Sequence, residues 1–203
     1  MKYLSLDLET TSLDPVNGQI LQLACVVDDL LDPKPLDELP RLNVFIHHDE
    51  IKGQSFALQM NSWILEILAE TEPLPEGAIM SNMLQISSGV YTDDNGNIAH
   101  TNNPVLDFLY RNFGGMGEKI TVAGKNVAGF DIPFLPKPIS SCFLHRVLDI
   151  GPLYMEKEDV KIPDMATCLV RAGIDKSVTH CALDDAFQVV KLIRAYFNPA
   201  GEV

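Results

Sequence analysis

Asp7 and Glu9 lie two residues apart in YLSLDLETTSLD, residues 3–14, a stretch that otherwise reads as a buried strand. Alternate side chains of a strand face opposite ways, so Leu4, Leu6 and Leu8 share one face and Tyr3, Ser5, Asp7 and Glu9 the other. Two neighbouring carboxylates repel each other, and a divalent cation turns that repulsion into coordination. A strand with a plain solvated polar face satisfies these residues equally well, so the question is whether the chain supplies further ligands. Asp131 in GKNVAGFDIPFL (124–135) is one candidate, although an Asp there also suits a helix cap or an Asx turn. THCALDDAFQVVKLIRAYF (179–197) adds His180, Asp184 and Asp185 at the start of an amphipathic helix, where acids also complement the helix dipole. At about 100° per residue, Ala182, Ala186, Val189, Val190, Ile193 and Phe197 form one stripe. Asp184 falls opposite that stripe with Gln188 and Lys191, whereas Asp185 lies along its edge, where it can reach a sheet. Asp185 is therefore the ligand candidate and Asp184 faces water.

The elements that must position these residues can be read in outline. Residues 2–9, 19–29 and 41–48 read as three strands, with Asp14-Pro15 and Asn17-Gly18 making the first connection a tight turn. The three prolines of LDPKPLDELP (31–40) make that segment a loop. Residues 54–70 have helical spacing with Ser55 as cap, and Ala57, Met60, Ile64 and Leu68 on one stripe. Residues 90–104 read as an exposed hairpin or loop, and Asn103-Pro104 starts a helix that runs to about Phe113. From 118 onwards strands at 119–125 and 145–150 alternate with a helical turn at 130–135 and helices at 163–173 and 181–197, the first of these closed by Gly173. Asp149 reads as a strand-end residue and Asp164 as a helix cap. Three antiparallel strands followed by two strand–helix units predict a mixed five-stranded α/β sheet with helices on both faces.

At 203 residues the chain suits a single domain, 1–203, with a surface insertion at about 86–104. No apolar run reaches the length of a membrane span, and acidic residues interrupt MKYLSLDLET too early for a signal peptide, so the cytoplasm is the expected location. The four cysteines lack metal-ligand spacing and fit reduced thiols. A net charge of −13 argues against tight binding of long duplexes, whose affinity comes from Lys and Arg, but leaves room for short or single-stranded oligonucleotides.

DLETTSLD, GKNVAGFDIPFL and HCALDDA, in that order, resemble the three motifs of the DEDD exonuclease superfamily in its histidine-containing branch, which includes proofreading exonuclease subunits and oligoribonuclease. The motifs span residues 3 to 186. The resemblance implies a ribonuclease H-like fold and a metal-dependent 3′→5′ exonuclease that releases nucleoside 5′-monophosphates from single-stranded DNA or short RNA. It assigns Asp7, Glu9, Asp131 and Asp185 to two Mg²⁺ or Mn²⁺ ions about 3.5–4 Å apart, with Asp7 bridging them and His180 as general base. It further implies that backbone groups of Thr10 and Thr11 grip the 3′ end, that Leu13 wedges against the terminal base, and that Asn126 and Phe134 support the second motif, although core packing serves Leu13 and Phe134 equally well. Thr10-Thr11-Ser12-Leu13 departs from the usual oligoribonuclease pattern. Clearance of very short RNAs and an inactive accessory subunit of a polymerase are the rival readings. The partners implied are single-stranded 3′ ends and no membrane, with a homodimer or a polymerase association left open.

Overall fold

In the computed structural model the structure describes residues 1–70, 85–87, 104–114, 117–175 and 180–198. Six strands form one mixed sheet: β1 (Lys2–Thr10), β2 (Ile20–Asp29), β3 (Arg41–His47), β4 (Gln85–Ser87), β5 (Val122–Gly124) and β6 (Leu148–Asp149). Their spatial order is β4-β3-β2-β1-β5-β6, antiparallel from β4 to β1 and parallel from β1 to β6. The three antiparallel and two parallel strands expected are present in that arrangement, and β4 is an additional short edge strand. The parallel strands are shorter than the sequence suggests, because β5 touches β1 only at Leu4↔Val122 and Ser5↔Ala123. The hairpin or loop expected over 90–104 lies, up to residue 103, outside the described residues.

Eight α-helices are described among these residues: α1 (Ser55–Met60), α2 (Ser62–Glu70), α3 (Pro104–Phe113), α4 (Asp131–Phe134), α5 (Lys137–Ser140), α6 (Ile150–Leu153), α7 (Met165–Arg171) and α8 (Ala182–Phe197). None is long and apolar enough to cross a membrane. The helix expected over 54–70 is broken at Asn61, whose carbonyl accepts from Ile64 and Leu65 and so starts α2 afresh. Its first turn is led by Gln54, and Ser55 makes no cap. α7 ends as expected at Gly173, whose φ of +70° places it in the left-handed region. Ile174 N–H bonds Leu169 O and Gly173 N–H bonds Val170 O, which closes a Schellman cap. Asp164 caps α7 through Thr167 N–H at 2.9 Å.

The alternation of β1 sets the layers. Leu4, Leu6 and Leu8 face Val105, Phe108 and Leu109 of α3 and Ile139 of α5. The opposite face, with Tyr3 and Val26, is covered by Ile150 of α6, Cys168 and Leu169 of α7, and Ala186, Val189, Val190 and Ile193 of α8. Polar side chains from the strands fasten α8 in place. Ser5 Oγ donates to Ala186 O at 2.8 Å. Gln22 on β2 accepts from Ala182 N–H at 3.0 Å, so a side chain from another element serves the first turn of α8. At the far end Arg194 forks onto Asp28, with Nη2 to Oδ1 at 2.7 Å and Nε to Oδ2 at 3.0 Å, and Tyr3 Oη donates to the same carboxylate at 2.8 Å. Gln188, expected on the wet side of α8, is buried and lines a cavity together with Leu36, Asp37 and Arg41. The proline-rich loop is thus packed onto α8, and Leu39 enters the core there.

Replacing Gln22 with Ala strips the Ala182 amide of its acceptor and leaves Asn43 Oδ1 without the Nε2 donor 2.8 Å away. The expected loss is about 1–2 kcal/mol in a urea denaturation.

Candidate metal and catalytic site

The C-terminal half of β1 carries the site. Asp7 stands opposite the small Ala24 and Glu9 opposite Gln22 on β2, so the carboxylates emerge where α8 crosses the sheet. The start of α8 turns Asp185 towards them and leaves Asp184 exposed, as the helical spacing predicted. One oxygen each from Asp7, Glu9 and Asp185 lie within 4.8 Å of one another. Asp131 is not part of that trio. Its Oδ1 accepts the Leu8 N–H at 3.0 Å, which ties the second motif to β1 beyond the short stretch that β5 pairs. Leu8 lies between Asp7 and Glu9 in the chain, so this bond also fixes the backbone that presents both.

Asp7, Glu9 and Asp185 converge, and the charge of Asp131 also reaches Asp7. Burial, followed by the charges of Asp131, Asp185 and Glu9, holds Asp7 well above the usual carboxylate range. Burial also pushes Glu9 to about 7, with the Asp185 charge adding to the effect and a hydrogen bond from Asn61 opposing it. Asp131 rises to about 7, again chiefly through burial. Asp185 rises to about 6 through burial, moderated by the neighbouring His180. No ion pair reaches any of the four among the described residues. Asp185 Oδ1 is buried and has no hydrogen-bond partner. An orphaned hard oxygen beside two more carboxylates fits a divalent oxygen-seeking cation.

These shifts have a measurable sign. Each folded-state pKa lies above its unfolded value, so the folded chain retains protons that the unfolded chain releases. Stability from these groups is fullest below about pH 4 and declines as pH rises through 6 to 7. In EDTA the thermal midpoint should therefore fall between about pH 5 and pH 8, and Mn²⁺ should restore it at the higher pH. A midpoint indifferent to Mn²⁺ at about pH 8 would count against a metal site.

His180 is exposed, with φ at +51°, just before Cys181, the N-cap of α8. Its imidazole is near enough to Asp185 to oppose that residue's upward shift. Thr10 and Thr11 are buried. Thr11 N–H is engaged with Gln19 O, Thr11 O accepts from Gln54 N–H at 2.8 Å and Thr10 O from Asn61 at 3.1 Å, so each carbonyl keeps one spare lone pair. Leu13 projects 75% exposed from the turn that Asp14 organises through Val16 N–H and Asn17. Such exposure excludes a core-packing role for it. Asn126 adopts φ of +56°, accessible to Asn, and its N–H bonds Asp149 Oδ2 at 3.0 Å. Asp149 is thus more than a strand end, since its Oδ1 also caps α6 through Gly151 N–H. The Phe134 ring lies 5.2 Å from that of Phe130 and against Gly18, where a Cβ would fall 2.8 Å from Phe134 Cε1.

Two residues of the site escape sequence reasoning. Asn61, at the α1–α2 break, donates to Thr10 O at 3.1 Å and hydrogen-bonds Glu9. Trp63 donates its indole N–H to His180 O at 3.2 Å. The helical pattern of 54–70 gives no sign of either contact. The one available cue was a polar Asn at a position that turned out to be buried.

No family profile matches the sequence, and no curated protein matches it. Among solved structures the chain is similar to cell-death related nuclease 4 (CRN-4), at 14% identity and a TM-score of 0.53, over 98% of this chain and 64% of that one. It is also similar to E. coli exonuclease I in complex with a dT13 oligonucleotide, at 14% identity and a TM-score of 0.57, over 96% of this chain and 41% of that one. The chain therefore spans less than two thirds of either neighbour. Its fold is the ribonuclease H-like α/β fold that these nucleases share.

Proposed function

We propose that this chain is a metal-dependent 3′→5′ exonuclease of the histidine-containing DEDD branch, acting on single-stranded DNA or short RNA and releasing nucleoside 5′-monophosphates. The observation that carries the reading is the convergence of Asp7, Glu9 and Asp185 within 4.8 Å, with a buried, unpartnered oxygen on Asp185. Support also comes from the fold, shared with CRN-4, a nuclease, and with exonuclease I, whose structure holds a dT13 oligonucleotide.

Asp7, Glu9, Asp131 and Asp185 would hold two Mg²⁺ or Mn²⁺ ions. Bound there, the cations supply positive charge that polarises the scissile phosphate and makes water a better nucleophile. The chain's own residues do the rest. His180 takes the proton of the attacking water, a general-base task that a positioned imidazole can perform. Asp131 keeps the Leu8 backbone in register, so Asp7 and Glu9 keep their spacing. The carbonyls of Thr10 and Thr11 accept from the 3′-terminal sugar, and Leu13 meets the terminal base with its exposed side chain. Asn126 and Phe134 brace the loop that presents Asp131. The net charge of −13 disfavours grip on long polyanions and so favours short substrates, oligoribonucleotides included.

The test is incubation of 5′-labelled single-stranded and duplex DNA and RNA with the protein in Mg²⁺, Mn²⁺ or EDTA. Shortening of the single strands from the 3′ end, only with metal, is the expected result. Their relative rates decide between DNA and RNA. Failure to shorten any of them with metal would refute the catalytic reading.

A further inference from the structure

Trp63 is the chain's single tryptophan. It sits in the first turn of α2, half-buried, with its ring edge-to-face on Phe45 of β3 at 5.9 Å and 87°. Ile64 beside it is fully buried against Leu21. The ring is thereby fixed to the sheet, and its one polar atom donates to His180 O at 3.2 Å, 117 residues away in sequence. His180 needs such a hold. A φ of +51° is uncommon for a non-glycine residue, and a conformation of that kind persists where contacts enforce it. Two residues before Trp63, Asn61 donates to Thr10 O and meets Glu9. One short segment at the α1–α2 break therefore touches both the strand that bears the first motif and the backbone that bears the histidine.

We propose that Trp63 is a positioning residue, its indole N–H fixing the His180 backbone so that the imidazole is held beside Asp185. This rests on the exonuclease reading given above. Trp63 touches no substrate in this role. It acts through His180, so its loss should slow the proton transfer and leave ground-state binding alone.

The test combines a spectroscopic and a kinetic readout on the full chain. With one tryptophan, the ¹⁵N spectrum holds a single indole N–H signal, expected to exchange far more slowly than free indole. Trp63→Phe keeps ring packing and removes the donor. It should lower kcat about tenfold or more with KM and Mn²⁺ affinity within about twofold. In a His180→Ala background the same substitution should change kcat by less than about twofold, because the two residues act as one unit. An indole that exchanges at the free rate overturns the proposal, whatever the kinetics. So does a Trp63→Phe protein with wild-type kcat, or one whose loss is equally large without His180. A wild-type protein with a protected indole but no metal-dependent nuclease activity overturns the exonuclease reading itself. The positioning role falls with it, and the hydrogen bond remains a structural contact.

Discussion

Asp7→Asn should reduce metal-dependent shortening of a single-stranded oligonucleotide by about 1,000-fold or more, and should at the same time raise the thermal midpoint of the metal-free protein. The two effects share one cause. Asp7 is the carboxylate most crowded by like charges, with Asp131, Asp185 and Glu9 all raising its pKa in addition to burial. Asn has the same shape but cannot carry the negative charge that a cation requires. With no metal present it also removes the charge that the other three acids resist. Calorimetry in EDTA at about pH 8 should show stabilisation on the order of 1–2 kcal/mol, or about 2–8 °C in midpoint. An active Asp7→Asn protein would remove Asp7 from the chemistry. An inactive but destabilised one would mean that Asp7 holds the fold together.

Asp28→Ala should have the largest effect on stability, about 3–5 kcal/mol, or about 6–20 °C in thermal midpoint. Asp28 is buried on β2 and accepts from Arg194 twice and from Tyr3 once, at 2.7–3.0 Å. Its removal leaves a guanidinium that is only 12% exposed without its carboxylate, and a buried phenol without an acceptor. Asp28 pairs in register with Tyr3, four residues along β1 from Asp7, or about 13 Å at strand rise. The folded fraction of the variant should accordingly keep kcat close to wild type at temperatures where it remains folded. Loss of kcat without loss of stability would show instead that this end of α8 governs where Asp185 sits.

The residues with local signals were legible in the sequence. The alternation of β1 separated the leucines from the acids, and both faces prove to be covered. Helical spacing alone chose Asp185 over Asp184, and the structure buries the first and exposes the second. Gly173 and Asp164 ended and began α7 through contacts within five residues of themselves. What escaped depends on partners far away in the chain. The amphipathic pattern of 54–70 continues across Asn61, and the break there accompanies a bond to Thr10, 51 residues earlier. Gln188 falls opposite the apolar stripe, yet it is buried and lines a cavity with residues of a loop some 150 residues earlier. Gln22 reads as an ordinary strand residue until α8 is laid across it. Asp131 had the signature of a local cap, and its carboxylate instead reaches back to Leu8.

The proposed function requires water to attack the last phosphodiester at the site assigned to the four acids and His180. The most direct measurement is the mass of the product released from a single-stranded oligonucleotide in ¹⁸O-enriched water with Mg²⁺, with an EDTA control. The expected product is a nucleoside 5′-monophosphate carrying one ¹⁸O on phosphorus, absent in EDTA. A 3′-monophosphate, a 2′,3′-cyclic phosphate, or release that persists in EDTA would contradict the proposed mechanism.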